Sequence, residues 1–331
     1  DMLSVLQKNL QQGVTMITRF SGIDSPCLAA RAIEEACSAH EGNRFAATKG
    51  FRMHSSGDRD KNCLKCLTAF AHDEDWVRHQ REHVFTDLRS AVTPEWLAEM
   101  EHFCEEHRKP GTDEWTFMKG LMAPVMQGGL LKDVPCALHD CDCPVDPISD
   151  DGRIRVHVAG PPCVDWSRRG KRQHALGATA IPHAIWMAQF IKSGVHVMLH
   201  ENTPDYPCWM IEKPLHEYGS KHWRIERFPL CPTLFGVPSR RKRRYTVVWN
   251  SAKVNFHGSF KDFVNIFVTE CELRGDIFFR SGEDLSPLAS VTNQTALVMY
   301  KDSVLEQQAK SRKDIGYICD LNQRPPHGRL D

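Results

Sequence analysis

Short apolar runs and helix-like stretches alternate along the first 90 residues. VTMITRF (14–20) and GFRMHSS (50–56) have the apolar composition of strands, and CLAARAIEEACSAH (27–40) between them has the apolar spacing of a helix. A second helix is predicted over KNCLKCLTAF (61–70), and a third strand over REHVFTDL (81–88). Strands that alternate with helices in this way are typical of a parallel sheet.

The same alternation returns after residue 152. IRVHVAG (154–160) and VHVMLHEN (195–202) are predicted strands on either side of the helix IPHAIWMAQFIKSG (181–194). Two more strands are predicted over 223–230 and 243–250. We therefore predict an α/β fold with a doubly wound, mostly parallel sheet that is covered by helices on both faces.

Two segments lack this alternation. Residues 91–152 are rich in Glu, His, Pro and Cys, and they are predicted to be a partly helical insertion. Residues 251–331 are a mixed C-terminal region without a repeat. The predicted organisation is one α/β domain over 14–250 that contains the insertion, followed by the region 251–331.

Composition narrows the class of protein. Lys+Arg and Asp+Glu are equal at 42 each, so overall charge does not predict a polyanionic partner. The 13 cysteines are an odd number, which favours reduced thiols in an intracellular protein over a disulfide framework. No apolar run approaches the roughly 20 residues of a membrane span, so no membrane partner is expected.

Chemically suggestive residues follow five of the predicted strands. In chain order they are Phe20, Ser21 and Gly22, then Asp58, Asp87 and Cys163, and finally Glu201 with Asn202. Ligands of a doubly wound sheet bind at the carboxyl ends of its strands, so these residues predict one site at that edge. Cys163 follows two prolines, and a stiffened turn of this kind suits a nucleophile better than it suits a core cysteine.

Six segments in this order resemble the DNA cytosine-5 methyltransferase family over about residues 14–250. They are FSGID (20–24), GDRDK (57–61), VFTDL (84–88), GPPCVDWS (160–167), HENT (200–203) and GVPSRRKRRY (236–245). The resemblance implies a Rossmann-like fold of the S-adenosylmethionine-dependent methyltransferase type, with S-adenosyl-L-methionine as cofactor and DNA as partner. It also makes residues 251–331 a candidate target-recognition region, although we find no match there to the two later motifs of the family.

The resemblance implies catalytic roles for five residues. Cys163 would add as a thiolate to C6 of cytosine and so load electron density onto C5, which takes the methyl group. Glu201 would donate a proton at N3 of the base, and Asn202 would hold the geometry of the pocket. Arg241 and Arg243 match the arginines of a later family segment, and Arg243 would lie near O2 of the base. The target base has to be flipped out of the duplex.

The resemblance also implies a cofactor site. Its residues would be Phe20, Ser21, Gly22, Ile23, Asp58, Asp87 and Pro162. Phe20 would pack on the adenine, Asp58 would accept from the ribose hydroxyls, and Asp87 would accept from the adenine amino group. Gly22 would allow close backbone approach at a helix N-terminus, which favours the carboxylate of the cofactor.

Four residues depart from the family pattern: Asp24 replaces a glycine, Arg59 an aromatic or apolar residue, and Val164 and Ser239 each a glutamine. We expect the carboxylate of Asp24 to lie near that of the cofactor and to weaken its binding. Asp24, Val164 and Ser239 keep a catalytically silent relative that binds partners or nucleic acid open as an alternative. A methyltransferase that acts on RNA is a second alternative, because little target-recognition sequence is evident after residue 250. Asp87 also has an ordinary alternative role as a helix N-cap.

Two basic runs, RRGKR (168–172) and RRKRR (240–244), have alternative interpretations. Both would suit contacts with nucleic-acid phosphates, and either is also compatible with a solvated face. The second run also resembles a nuclear-import patch, and a nuclear location is the expectation.

The insertion contains one candidate zinc cluster in CALHDCDC. Its four soft ligands are Cys136, His139, Cys141 and Cys143. Because Cys-x-Cys is a tight spacing for a tetrahedral site, Cys63 or Cys66 would have to replace one member. We favour local reduced cysteines over zinc here, and the prediction assigns no metal.

Overall fold

The protein is described by a computed structural model that covers residues 10–41, 49–72, 81–146, 151–167, 170–237, 239–255 and 259–269. These residues divide into two units. One lies within Asp1–Arg227 and Arg244–His257, and the other lies within Phe228–Arg243 and Gly258–Asp331.

The strands of the described residues belong to one sheet, most of which lies in the first unit. They are β1 (Val14–Arg19), β2 (Phe51–Gly57), β3 (His83–Phe85), β4 (Asp133–Cys136), β5 (Cys141–Pro144), β6 (Ile154–Ala159), β7 (Val197–Asn202), β8 (Trp223–Leu230) and β9 (Arg243–Asn250). Their order across the sheet is β5-β4-β3-β2-β1-β6-β7-β9-β8. The five central strands, which in sheet order are β3, β2, β1, β6 and β7, run parallel, whereas β9 is antiparallel to β7.

Helices lie between most of the strands along the chain. They are α1 (Ser25–Glu41), α2 (Lys61–Ala71), α3 (Pro94–His107), α4 (Glu114–Pro124), α5 (Ala180–Lys192) and α6 (Trp209–Tyr218), and α7 (Phe260–Phe267) lies in the second unit. No helix among the described residues is both long enough and apolar enough to cross a membrane.

The chain winds outward from β1 through β2 to β3 and then returns to β6 on the other side of β1. The predicted doubly wound, mostly parallel, Rossmann-like sheet is therefore confirmed. The point at which the winding direction reverses lies between β1 and β6, and ligands of such sheets bind at the carboxyl ends of the strands beside this point.

The position of β1 at the centre of the sheet explains why every one of its residues is buried, including Thr15, Thr18 and Arg19. Val14 and Met16 pack with Cys27 of α1 on one face of the sheet. Ile17 belongs to a separate cluster on the other face, together with Trp186 of α5. Helix α5 is buried nearly all round, which accounts for its continuous apolar sequence.

Residues 91–152, the predicted insertion, contain α3 and α4 and also the hairpin of β4 and β5. The hairpin was not predicted. It continues the sheet beyond β3, because Phe85 pairs with Cys136 in antiparallel register.

In the second unit, Phe228 stacks on Phe260 of α7 with ring centroids 5.1 Å apart. Phe235 forms an isolated bridge with Thr269, and Thr233 donates a hydrogen bond to Cys231.

Candidate active site

A cleft of about 760 Å³ opens at the carboxyl edge of the sheet. Its walls come from the residues that follow β1, β2, β3 and β6, and from the start of α5. Ligand pockets for small molecules commonly have volumes of about 300–1,000 Å³. The cleft lies at the reversal point of the sheet, where the topology predicts a ligand site.

The turn after β1 is tied to the end of β2. Ser21 Oγ donates to the carbonyl of Gly57 at 3.0 Å and accepts from its amide at 3.0 Å. The amide of Gly22, whose φ is 57°, donates to Oδ2 of Asp58 at 2.8 Å. Asp58 therefore joins the two turns while facing the cleft. Each carboxylate oxygen of Asp58 accepts one bond and keeps capacity for a ligand hydroxyl.

Asp87 also lines the cleft, and it has partners of its own. Oδ1 accepts from the amide of Arg89 at 3.0 Å and caps a short 3₁₀ turn, while Oδ2 accepts from the guanidinium of Arg89 at 2.7 Å. Burial opposes ionisation of Asp87, but the bonds from Arg89 outweigh it and lower the pKa of the carboxyl group. Asp87 is therefore negatively charged, and its backbone contact is that of the alternative role predicted for it, an N-cap.

The Pro-Pro-Cys turn follows β6 and contacts the end of β7. Nδ2 of buried Asn202 donates to the carbonyl of Pro161 at 3.0 Å. A Cβ atom added to Gly160 would lie 3.3 Å from Oε2 of Glu201, so this carboxylate lies against the start of the turn. Cys163 is half-buried, and its carbonyl accepts from the amide of Ser167 at 2.7 Å. Parallel pairing of β6 and β7 thus brings these two predicted motifs together.

Asp165 fixes the Pro-Pro-Cys turn to the start of α5, and the sequence analysis did not single it out. Its side chain is fully buried, and Oδ2 accepts from the hydroxyl of Thr179 at 2.6 Å and from its amide at 3.1 Å. A Cβ atom on Gly177 would lie 2.2 Å from Oδ2 of Asp165, so only glycine fits there. Its position two residues after Cys163 was the only signal in the sequence.

The expectation for Asp24 is wrong. Its side chain is fully buried and points at Arg81, whose Nε donates to Oδ2 of Asp24 at 2.8 Å. Ser56 donates to the same oxygen at 2.5 Å. Asp24 has a left-handed φ of 61° and does not line the cleft. The carboxylate that replaces the family glycine is therefore a member of a buried ion pair.

Arg19 is a second residue that the sequence analysis missed. It lines the cleft with its guanidinium 5.2 Å from the ring centroid of Phe85, and it donates to Ser55 at 3.0 Å. Burial lowers the pKa of Arg19 to about 10, against the opposing effect of Asp146, and the group stays charged at neutral pH. The cleft thus has a cation in its wall.

A buried aromatic layer lies behind the turn. The ring of His200 stacks on Trp186 with centroids 5.7 Å apart, and His183 lies within hydrogen-bond distance of Tyr206. Burial lowers the pKa of His183 to about 4, and burial together with His183 lowers that of His200 to about 3. Both imidazoles are therefore neutral at pH 7.

The structure does not bring all the predicted residues to the cleft. Phe20, Gly22, Asp58, Asp87 and Pro162 line it. The lining does not include Ser21 or Ile23, nor the predicted catalytic residues Cys163, Glu201 and Asn202, although Pro162 and Val164 on either side of Cys163 do line the cleft. The side chain of Ser21 bonds to Gly57, and Ile23 is 54% exposed. Arg241 and Arg243, together with Ser239, lie in the second unit.

Comparisons with known proteins give structural matches only. No protein family matches the chain, and no curated protein matches it. The S. pombe Dnmt2 methyltransferase is similar at 12% identity and a TM-score of 0.42, over 83% of this chain and 62% of that one. A prophage-encoded E. coli protein, described as a DNA modification methyltransferase, is similar at 15% identity and a TM-score of 0.39, over 74% of this chain and 49% of that one. The Entamoeba histolytica methyltransferase EhMeth is similar at 12% identity and a TM-score of 0.37, over 75% and 55%. The chain therefore spans about half to three-fifths of the length of these proteins.

Proposed function

We propose that the chain is an S-adenosylmethionine-dependent methyltransferase that methylates C5 of a flipped cytosine in DNA. One observation carries the proposal: Asn202 donates to the carbonyl of Pro161 at 3.0 Å and joins the Pro-Pro-Cys turn to the Glu-Asn pair. The bond joins the turn that carries Cys163, the nucleophile of this chemistry, to the strand end that carries Glu201, its proton donor.

The cleft fits the cofactor chemically. Asp58 and Asp87 supply acceptors for ribose hydroxyls and for an adenine amino group, and Phe20 supplies an aromatic face. Arg19 supplies a cation for the carboxylate of the methionine moiety. S-Adenosylmethionine, when bound, supplies a methyl group on a sulfonium centre.

The residues of the chain would act in sequence on the cytosine. The thiolate of Cys163 adds to C6, and Glu201 donates a proton to N3 as electron density moves through the ring. C5 becomes nucleophilic and takes the methyl group. Loss of the C5 proton to a base then re-forms the C5–C6 double bond as the bond from C6 to the sulfur of Cys163 breaks, and the proton on N3 returns to Glu201.

Covalent trapping tests this proposal. The full chain is incubated with S-adenosylmethionine and duplex DNA that contains 5-fluorocytosine, and the products are separated on a denaturing gel. Fluorine cannot leave C5 as a proton, so a stable protein–DNA adduct is expected. The adduct should be lost in Cys163→Ala and kept in the matched control Cys66→Ala, which changes a half-buried cysteine of α2.

The same assay separates the alternatives. An adduct with 5-fluorocytosine tRNA and none with DNA would refute the DNA assignment and leave the cytosine-5 chemistry in place. No adduct on either substrate, from folded protein, would overturn the proposal in favour of a silent relative. An adduct that persists in Cys163→Ala would refute the assigned nucleophile.

A further inference from the structure

Two thiols and two imidazoles converge where β3 meets the hairpin of β4 and β5. The side chains are those of His83, Cys136, His139 and Cys143, and one potential ligand atom from each lies within 4.8 Å of the others. Only three of them belong to the predicted cluster. His83 takes the fourth place instead of Cys141, and Cys63 and Cys66 do not belong to the group.

The observed distances suit one tetrahedral ion. With Zn–N of about 2.0–2.1 Å and Zn–S of about 2.3 Å, a tetrahedral zinc sets its N and S ligands about 3.6 Å apart. Nδ1 of His139 lies 3.5 Å from Sγ of Cys136 and 3.2 Å from Sγ of Cys143. The other ligand atoms of the group lie within 4.8 Å of one another, which is at most about 1.2 Å beyond this tetrahedral separation.

The backbone holds these ligands in place. Cys136 ends β4 and pairs with Phe85 of β3, and the amide of Ala137 donates to the carbonyl of Val84 at 2.8 Å. His83 is the first residue of β3, so it lies beside the hairpin turn that carries His139. The spacing Cys-x₂-His within that turn is close to the Cys-x₂₋₄-Cys spacing of zinc sites.

The cluster also contains a polar atom that lacks a partner. Nδ1 of His83 is buried, and among the described residues nothing forms a hydrogen bond with it. Buried polar atoms without partners are rare, and an absent ion is one explanation. Both cysteines are buried, whereas His139 is exposed and leaves a route for an ion to enter.

A neighbouring group of His54, Glu82 and His83 is a weaker candidate. Glu82 already forms an ion pair with Arg52, which compensates its charge, and its Oε2 lies 2.9 Å from Nδ1 of His54. Thiolates and imidazoles together favour zinc over the hard cations that carboxylates bind.

We propose that His83, Cys136, His139 and Cys143 bind one structural Zn²⁺ ion. Four protein ligands leave no open position, which is the mark of a structural site. The ion would fasten the β4–β5 hairpin to β3, and Val134 of this hairpin lines the cleft. The proposal does not depend on the proposed methyltransferase function.

Metal analysis of the full chain, purified without chelator or added metal, is the first test. We expect about one zinc per chain by plasma mass spectrometry, as for other structural zinc sites. Cys143→Ser should lose most of this zinc, whereas the matched control Cys141→Ser should keep it. Cys141 is exposed and lies outside the four-residue group although its Sγ is 3.9 Å from that of Cys143.

Two measurements on the unsubstituted protein keep the proposal testable if Cys143→Ser does not fold. Co²⁺ exchanged into the site should give the visible bands of a tetrahedral ion together with thiolate charge-transfer absorption. Maleimide labelling followed by peptide mapping should modify Cys141 before chelation, and Cys136 and Cys143 only after it. Protein without zinc, with another metal in its place, or with a disulfide between Cys136 and Cys143, would overturn the proposal. Equal zinc loss in Cys141→Ser and Cys143→Ser would overturn the ligand assignment.

Discussion

The buried pair of Asp24 and Arg81 gives a quantitative prediction for stability. The side chains are 0% and 1% exposed, and Arg81 also lies over the ring of Phe70 with its Cζ 5.6 Å from the centroid. Among the described residues, Oδ1 of Asp24 and both Nη atoms of Arg81 are buried without hydrogen-bond partners. The pair is therefore sensitive to the loss of either member, because a lone buried charge has no other compensation.

The perturbation is Asp24→Gly, which restores the residue of the family pattern. Removing one member of a buried ion pair costs about 3–5 kcal/mol. Glycine adopts the φ of 61° found at Asp24 without strain, which returns roughly 1 kcal/mol. We therefore expect the free energy of unfolding to fall by about 2–4 kcal/mol.

Urea unfolding followed by tryptophan fluorescence measures this change. The double variant Asp24→Gly/Arg81→Met should regain most of the loss, because removing both charges leaves no uncompensated group. Glu35→Ala is the matched control; it breaks the exposed pair with Arg31 and should cost less than about 0.5 kcal/mol.

Two results would refute this reasoning. One is a loss below about 1 kcal/mol in Asp24→Gly, and the other is a double variant no more stable than the single one. The affinity for S-adenosylhomocysteine gives an independent check. If Asp24 repelled the cofactor, the glycine variant would bind more tightly, whereas we expect no change in the folded variant.

Three further predictions concern the residues around the cleft. The free energy of unfolding should fall as the pH drops from about 6.5 towards 4, because buried His183 and His200 stay neutral in the folded protein while the unfolded chain binds protons at both. Each histidine should lower the free energy of unfolding by about 2 kcal/mol at pH 5 relative to neutral pH. His200→Phe should therefore make the urea midpoint less dependent on pH between 7 and 5. Asn202→Ala should slow adduct formation at least tenfold while S-adenosylhomocysteine affinity stays within about threefold, and an unchanged trapping rate would contradict the role given to its bond with Pro161. Asp87→Asn should weaken S-adenosylhomocysteine binding about tenfold in calorimetry. Arg89→Ala should not weaken it, since it removes the side chain that now occupies the carboxylate of Asp87. Weaker binding in Arg89→Ala than in Asp87→Asn would exclude Asp87 as the adenine acceptor.

The parallel core was predictable because periodicity and local composition determine it. Buried β1 is rich in β-branched and apolar residues between turn and helix signals, and α1 shows its buried positions at helical spacing. The hairpin of β4 and β5 was missed for a physical reason. Its strands have only four residues each and contain proline and aspartate, so they are defined as strands by pairing alone, of β4 with β3 and of β5 with β4.

The candidate site was predictable only where strand ends determine it. Asp58 follows β2 and Cys163 lies shortly after β6, and both strands run parallel to β1, which lies between them, so topology alone brings the two residues to one edge of the sheet. Partners such as Arg81, 57 residues from Asp24, are set by tertiary packing, which leaves no local pattern. The same holds for His83 beside the hairpin cysteines: its sequence context indicates a strand and nothing about a metal.

Asp165 has a consequence for how a ligand binds at the Pro-Pro-Cys turn. Because its carboxylate is enclosed by Gly177 and bonded to Thr179, the segment that carries Cys163 is fixed to the first turn of α5 when the chain folds. The conformational entropy of that segment is then lost during folding, so a ligand that contacts it does not have to order it. Ligand binding at this turn would be fast and would need little rearrangement of the protein. A substitution of Thr179 that removes its bond to Asp165 would first lower the association rate of the ligand.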